Sequence, residues 1–212
     1  MPALATTILN PFIDNHISQV DPSLNFGTQV RISLRNTSLN NTISSLLTFE
    51  IPSSIPSVGI ITANFFLTIA ASDSSAVDWS IHRIVPVWSE IQSTWLHSDA
   101  LINPLWTTAG ALHVSDDISL TPTPITGTMP GNQSGEYLLG DIKAFVSDAI
   151  IHRSGKLQIK LSQDDQIDGS VFQFRSRETV IGGLPRLVIV HPLPSGGYPA
   201  MSHFNLVTPK II

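Results

Sequence analysis

Catalysis and metal binding need particular side chains brought together, and this chain of 212 residues offers few at telling spacings. Its seven histidines stand at 16, 82, 97, 113, 152, 191 and 203. None forms an HxH or i,i+4 pair, the spacings that aim two imidazoles at one metal from a single element. HExxH, a GxSxG elbow, a phosphate-binding glycine loop and GxGxxG are absent, and Asn132-Gln133-Ser134-Gly135 is no elbow. Glycoside hydrolysis would need two carboxylates from separate segments. Glu50, Glu90, Asp99, Asp116 and Asp141 are available, but nothing in their spacing pairs them. Glu90 reads instead as an acceptor of backbone hydrogen bonds in its turn. No catalytic residue and no cofactor is therefore expected.

Binding chemistry has more material. Asp14 and Asn25 carry oxygens that suit a hard cation, and the same residues suit turns. The spacing fits no known calcium loop, which favours turn chemistry and leaves structural calcium open. A stacking platform for a ligand needs exposed aromatic rings. Trp106, Tyr137 and Tyr198 are the candidates, because each falls in a segment that reads as loop. Arg83, Arg175 and Arg177 are the candidate polar partners, and arginine suits an anionic polysaccharide.

The elements that must position these groups are mostly strands. Val77 to His97, VDWSIHRIVPVWSEIQSTWLH, opens with Val77, Trp79 and Ile81 on one face and Asp78, Ser80 and His82 on the other. With Trp88 and Trp95 it holds three of the four tryptophans, so much of the core should be seated here. Residues 4 to 35 read as short extended pieces around a polar loop, Asn15 to Gly27, with a strand at Arg31 to Leu34. Leu47, Phe49 and Ile51 alternate, and Ile61, Ala63, Phe65, Leu67 and Ile69 form the cleanest period-two face. Ser98 to Gly135 reads as loop, its end (Thr121 to Gly135) turn-forming and exposed. The spacing predicts one helix over Asp141 to Ile151, then strands at Leu157 to Leu161, Val171 to Arg175 and Leu187 to Val190, the last central. The fold expected is an all-β antiparallel sandwich, jelly-roll-like, with one short helix and a C-terminal extended tail.

Composition narrows the setting. Cysteine is absent, so no disulfide framework or thiolate metal site exists. The net charge is −5 with no basic run, against nucleic-acid binding, and no apolar run reaches membrane-spanning length. The N-terminal residues do not read as a signal peptide. Residues 1–191 read as the sandwich domain and 192–212 as a linker with an apolar docking tail, Phe204, Leu206, Val207, Ile211 and Ile212. Burying those five side chains contributes on the order of 10 kcal/mol gross. Fixing the backbone of the tail costs roughly 20 kcal/mol. The tail thus needs backbone pairing as well, on its own chain or by strand addition to a neighbouring subunit.

Several pieces together resemble the DNRLRE domain, a jelly-roll β-sandwich family. They are Asp14-Asn15-His16-Ile17 with Pro22-Ser23-Leu24-Asn25-Phe26-Gly27, and Leu46 to Ile51 with Ile55-Pro56. Ile60 to Leu67, Trp88-Ser89-Glu90 with Thr94-Trp95, Ser176-Arg177-Glu178 and Leu184 to Val190 complete the set. The resemblance runs from about residue 5 to 191. It implies the sandwich fold and, since the family includes carbohydrate-binding modules of secreted proteins, a polysaccharide ligand.

Without a catalytic constellation or export signal, the function expected is a non-enzymatic virion structural protein. A phage capsid decoration (cement) protein or an appendage subunit fits best. The partners expected are further copies of the chain, as a homo-oligomer, and other virion proteins such as the major capsid protein. A carbohydrate-binding module, secreted or at a cell surface, is the alternative, and a polysaccharide-degrading enzyme the second.

Overall fold

A computed structural model describes residues 3–102, 104–180 and 182–193. The strands are β1 (Leu4–Leu9), β2 (Ile13–Ser18), β3 (Arg31–Leu34), β4 (Ile43–Glu50), β5 (Thr62–Ser72) and β6 (Val77–Ile84). They continue as β7 (Ile118–Ser119), β8 (Ile125–Met129), β9 (Gly135–Asp141), β10 (Lys156–Gln163), β11 (Phe172–Arg175) and β12 (Arg186–Pro192). One helix, α1 (Lys143–His152), lies between β9 and β10. Every strand pairing is antiparallel. The first sheet runs β1-β12-β5-β11-β3, with β9 also on β5, and the second runs β2-β4-β10-β6-β7, with β8 also on β6. The chain is an all-β antiparallel sandwich.

The period-two faces pack as read except at Ile61, which precedes β5 and is 50% exposed. Ala63, Phe65, Leu67 and Ile69 of β5 meet Leu47, Phe49, Ile81, Leu157, Ile159 and Leu161 from the opposite sheet. Phe49 and Phe65 touch edge to face, their ring centroids 5.7 Å apart. Helix α1 closes one end through Phe145, Val146 and Ala149. Asp141 starts it from the last residue of β9, its Oδ1 accepting the Lys143 and Ala63 N–H groups, both at 2.9 Å. The helix therefore begins two residues later than the expected Asp141.

The expected long loop is partly strand. Thr121 to Gly135, read as exposed turns, contains β8, whose Met129 is buried. Prolines and glycines hide the strand in the sequence. Gly127 is there because a Cβ would lie 2.5 Å from the Trp79 ring. The polar loop expected from Asn15 instead begins after β2, which keeps Asn15 and Ser18 buried. β12 lies between β1 and β5 as a central strand should, yet only alternate residues are buried, and Val188 and Val190 face partly outward.

A second core sits outside the sandwich. Trp88, Trp95, Trp106 and Ala111 cover Ile17, Leu46 and Ile84 on the outer face of the second sheet. The Trp106 Nε1 donates to the Thr94 carbonyl at 2.9 Å. From the middle of β10 the Lys160 Nζ donates to the Gly110 and Ala111 carbonyls at 2.9 and 3.1 Å. The second sheet is thereby covered on both faces over part of its area.

Candidate functional site

Three carboxyl groups and one guanidinium meet where the ends of β2 and β11 approach the loop after β6. Asp14, Glu90 and Glu178 each place a carboxylate oxygen within 4.8 Å of the others. The Arg177 Nε lies 2.9 Å from Glu90 Oε1 and 2.7 Å from Glu178 Oε1, and its Nη1 donates to the Phe12 carbonyl. Asp14 accepts the Arg177 backbone N–H at 2.7 Å, while Glu90 accepts that of Asp14 at 2.9 Å. Asn25 braces the same corner. Its amide donates to the Glu90 and Ser93 carbonyls, both at 2.7 Å, and its oxygen accepts the Gly27 N–H.

Electrostatics follow from this crowding. Burial raises the Asp14 carboxyl to about 8, opposed by the Arg177 N–H and reinforced by Glu178 and Glu90. Burial also raises Glu90 above the usual carboxylate range. At neutral pH the corner thus holds a proton on Asp14, with Arg177 between two glutamates. The guanidinium takes the place a bound cation would fill. Asp14 carries a ligand oxygen here, whereas Asn25 points its amide at carbonyls.

This proton has a measurable consequence. A carboxyl raised from its unfolded value of 3.8 to about 8 stabilises the fold fully below pH 4, a contribution lost as pH rises through 8. Buried His16 is lowered to about 4 and loses stability in the opposite sense as pH falls from 6.5. Burial lowers Lys160 to about 8, so its effect begins above that pH. The window from pH 6.5 to 8 therefore reports Asp14, and stability should fall there by about 1–2 kcal/mol. Asp14→Asn should flatten the slope in thermal melts across that window. An unchanged slope would place the proton elsewhere.

The other expected site residues lie apart. Trp106, expected to be exposed, is 3% accessible and belongs to the second core. That expectation is corrected, because the loop folds back to bury the ring and bond its N–H. Tyr137 is half-buried on β9, and its hydroxyl donates to the Thr128 carbonyl of β8 at 3.0 Å. Arg83 pairs with Asp148 at 3.1 Å, which Arg153 also contacts at 3.2 Å, tying β6 to α1. Arg175 lines a groove of about 430 Å³ with Arg31, Thr68 and Val180, and its Nη1 donates to the Gly182 carbonyl. Tyr198 and the interface residues Phe204, Leu206, Val207, Ile211 and Ile212 lie outside the described residues.

Sequence reading left one polar groove unnoticed. It encloses about 340 Å³ over the outer face of the second sheet and is lined by Ser44, Ser80, Ser162, Leu112 and Ile118. Lys160, Gln163 and Asp164 also line it. Burial and the nearby Lys160 ammonium lower the His82 imidazole, leaving it neutral at pH 7. The signal was the alternation of Ser80 and His82 along β6 and of Lys160 and Ser162 along β10, polar positions facing one way. Among the described residues no helix is long and apolar enough to cross a membrane.

No protein-family model matches the chain, and no curated protein is similar to it.

Proposed function

We propose that this chain is a non-enzymatic structural protein of a virus particle, a capsid decoration protein or an appendage subunit. The supporting observation is the outer rim of the first sheet. There β1 has a strand partner on one side only among the described residues, with Leu4 and Ile8 56% and 59% exposed. Ile61, bonded to the Val190 carbonyl, and Leu193, bonded to that of Ala3, add exposed apolar side chains beside it. Such a rim suits contact with a neighbouring subunit, a second copy of the chain first and the major capsid protein beyond it. The carboxylates of Asp14 and Glu90 are occupied in holding elements together, which fits a scaffold. Mass spectrometry of gradient-purified particles from cells making this chain tests the reading. The chain should be present in stoichiometric amounts, and its absence from the particles would sink the proposal.

The hydroxyl-lined groove favours polysaccharide binding as a second reading. Serine hydroxyls both donate and accept, as sugar hydroxyls require, and Leu112 offers an apolar wall. Ser162→Phe should fill the groove and weaken retention on a polysaccharide panel at least tenfold. Retention equal to that of the unaltered chain would remove the groove from consideration.

A further inference from the structure

The rim at β1 has a geometry of its own. The Leu193 N–H donates to the Ala3 carbonyl at 2.9 Å, and the register continues Leu4 opposite Pro192, Ala5 opposite His191 and Thr6 opposite Val190. In an antiparallel ladder, bonded and non-bonded pairs alternate. Ala3, Ala5, Thr7 and Leu9 therefore turn their backbone groups toward β12. Leu4, Thr6 and Ile8 turn theirs away from the sheet, into the space beside the edge.

Among the described residues this edge lacks the usual protection. LATTIL carries no charge, no lysine and no proline. The other outer strands carry guards of several kinds: β9 has the charges of Glu136 and Asp141, and β8 has its Thr128 carbonyl taken by the Tyr137 hydroxyl. β2 has its Asp14 N–H taken by Glu90 and its Asn15 amide bonded to Ser93 of the covering loop. β3 is four residues long and begins at Arg31, and β7 is two residues long.

We infer that β1 pairs antiparallel with β1 of a second copy about a two-fold axis through Thr6, joining the two first sheets into one. Thr6 then lies opposite Thr6 of the second copy, and Leu4 opposite Ile8. Every outward backbone group of Leu4, Thr6 and Ile8 finds its complement in the same three residues of the other copy. Side chains agree with the backbone, because opposite residues share a face. The exposed Leu4 and Ile8 cover each other on both sides of a threonine pair. An uncharged strand pairs with itself without repulsion, which argues for a second copy as the occupant. The inference rests on the assembly reading and names its first partner. Particle mass spectrometry can succeed while this dimer fails, so the two are separable.

Light scattering on the full chain should give twice the chain mass. Thr6→Pro removes an N–H that faces outward, so the ladder to β12 stays intact and the fold should survive. This variant should be monomeric, with an unchanged far-ultraviolet spectrum. Thr6→Lys, which puts two ammonium groups face to face at the axis, should also be monomeric. A chain stopped after Leu193 should remain dimeric. A monomeric full chain, or dimers persisting in both Thr6 variants, would overturn the inference. So would a monomer on truncation, which would give this edge to residues 194–212.

Discussion

Asp117→Ala should lower the urea midpoint of the tryptophan signal sharply, a loss of about 3–5 kcal/mol. Asp117 is 1% exposed, and its carboxylate accepts three backbone N–H groups, from Thr107 at 2.7 Å, Thr108 at 2.9 Å and His113 at 3.1 Å. Alanine leaves all three without an acceptor. It also removes a negative charge that favours the ammonium of Lys160, which is only 2% exposed. Each unmade buried bond costs about 1–3 kcal/mol, and opening of the segment to water limits the sum. Asp117→Asn keeps one acceptor oxygen and should lose roughly half as much. A loss under about 1 kcal/mol for alanine would show that the segment is held by its tryptophans alone.

Gly27→Ala should be nearly as damaging, through a different cause. A Cβ at this position would stand 2.1 Å from the Glu90 carbonyl oxygen and 2.8 Å from its carbon. Backbone cannot yield as a side-chain end can, so the loop carrying Glu90 must lift away. That movement withdraws Glu90 from the Asp14 N–H and from Arg177. The expected loss is about 3 kcal/mol in chemical denaturation. Gly182→Ala is the control, since a Cβ there meets nothing within 4 Å, and it should change the midpoint little. If Gly27→Ala matched that control, the close approach would be shown to relax freely.

The sandwich was legible where burial imposes a simple period. The apolar residues of β5 and β10 alternate because one face of each meets the main core, although Gln158 and Lys160 on the other face of β10 are buried too. Arg31 to Leu34 matches β3 at both ends. β8 was not legible. Its apolar positions, Ile125 and Met129, flank a glycine demanded by the Trp79 ring, and that contact is made by a residue 48 positions away. Trp106 was misread for a related reason. A tryptophan between Pro104 and Gly110 looks like a loop residue, and only the return of its loop onto β10 buries it.

The carboxylate corner was half legible. Asp14 stood out as a turn and ligand residue, and Arg177 as a polar partner, but no spacing joins positions 14, 90 and 178. Only the packing of the two sheets on each other brings β2, in the second sheet, beside the segment that follows β11, in the first. Glu90 stands in Trp88-Ser89-Glu90 and Glu178 in Ser176-Arg177-Glu178, two short segments far apart in the chain. They did not show that all of these groups would share one small volume.

The second core also decides what light reports about this molecule. Three of its four indoles, Trp88, Trp95 and Trp106, sit under one segment on the outside of the sandwich, and Trp79 alone is in the main core. Intrinsic fluorescence is therefore chiefly a gauge of that outer segment. Circular dichroism follows the strands. Where the segment lifts before the sheets separate, as after Asp117→Ala, the emission maximum should shift red at lower urea than the strand signal is lost. The gap between the two curves measures how far the outer segment is independent of the fold beneath it.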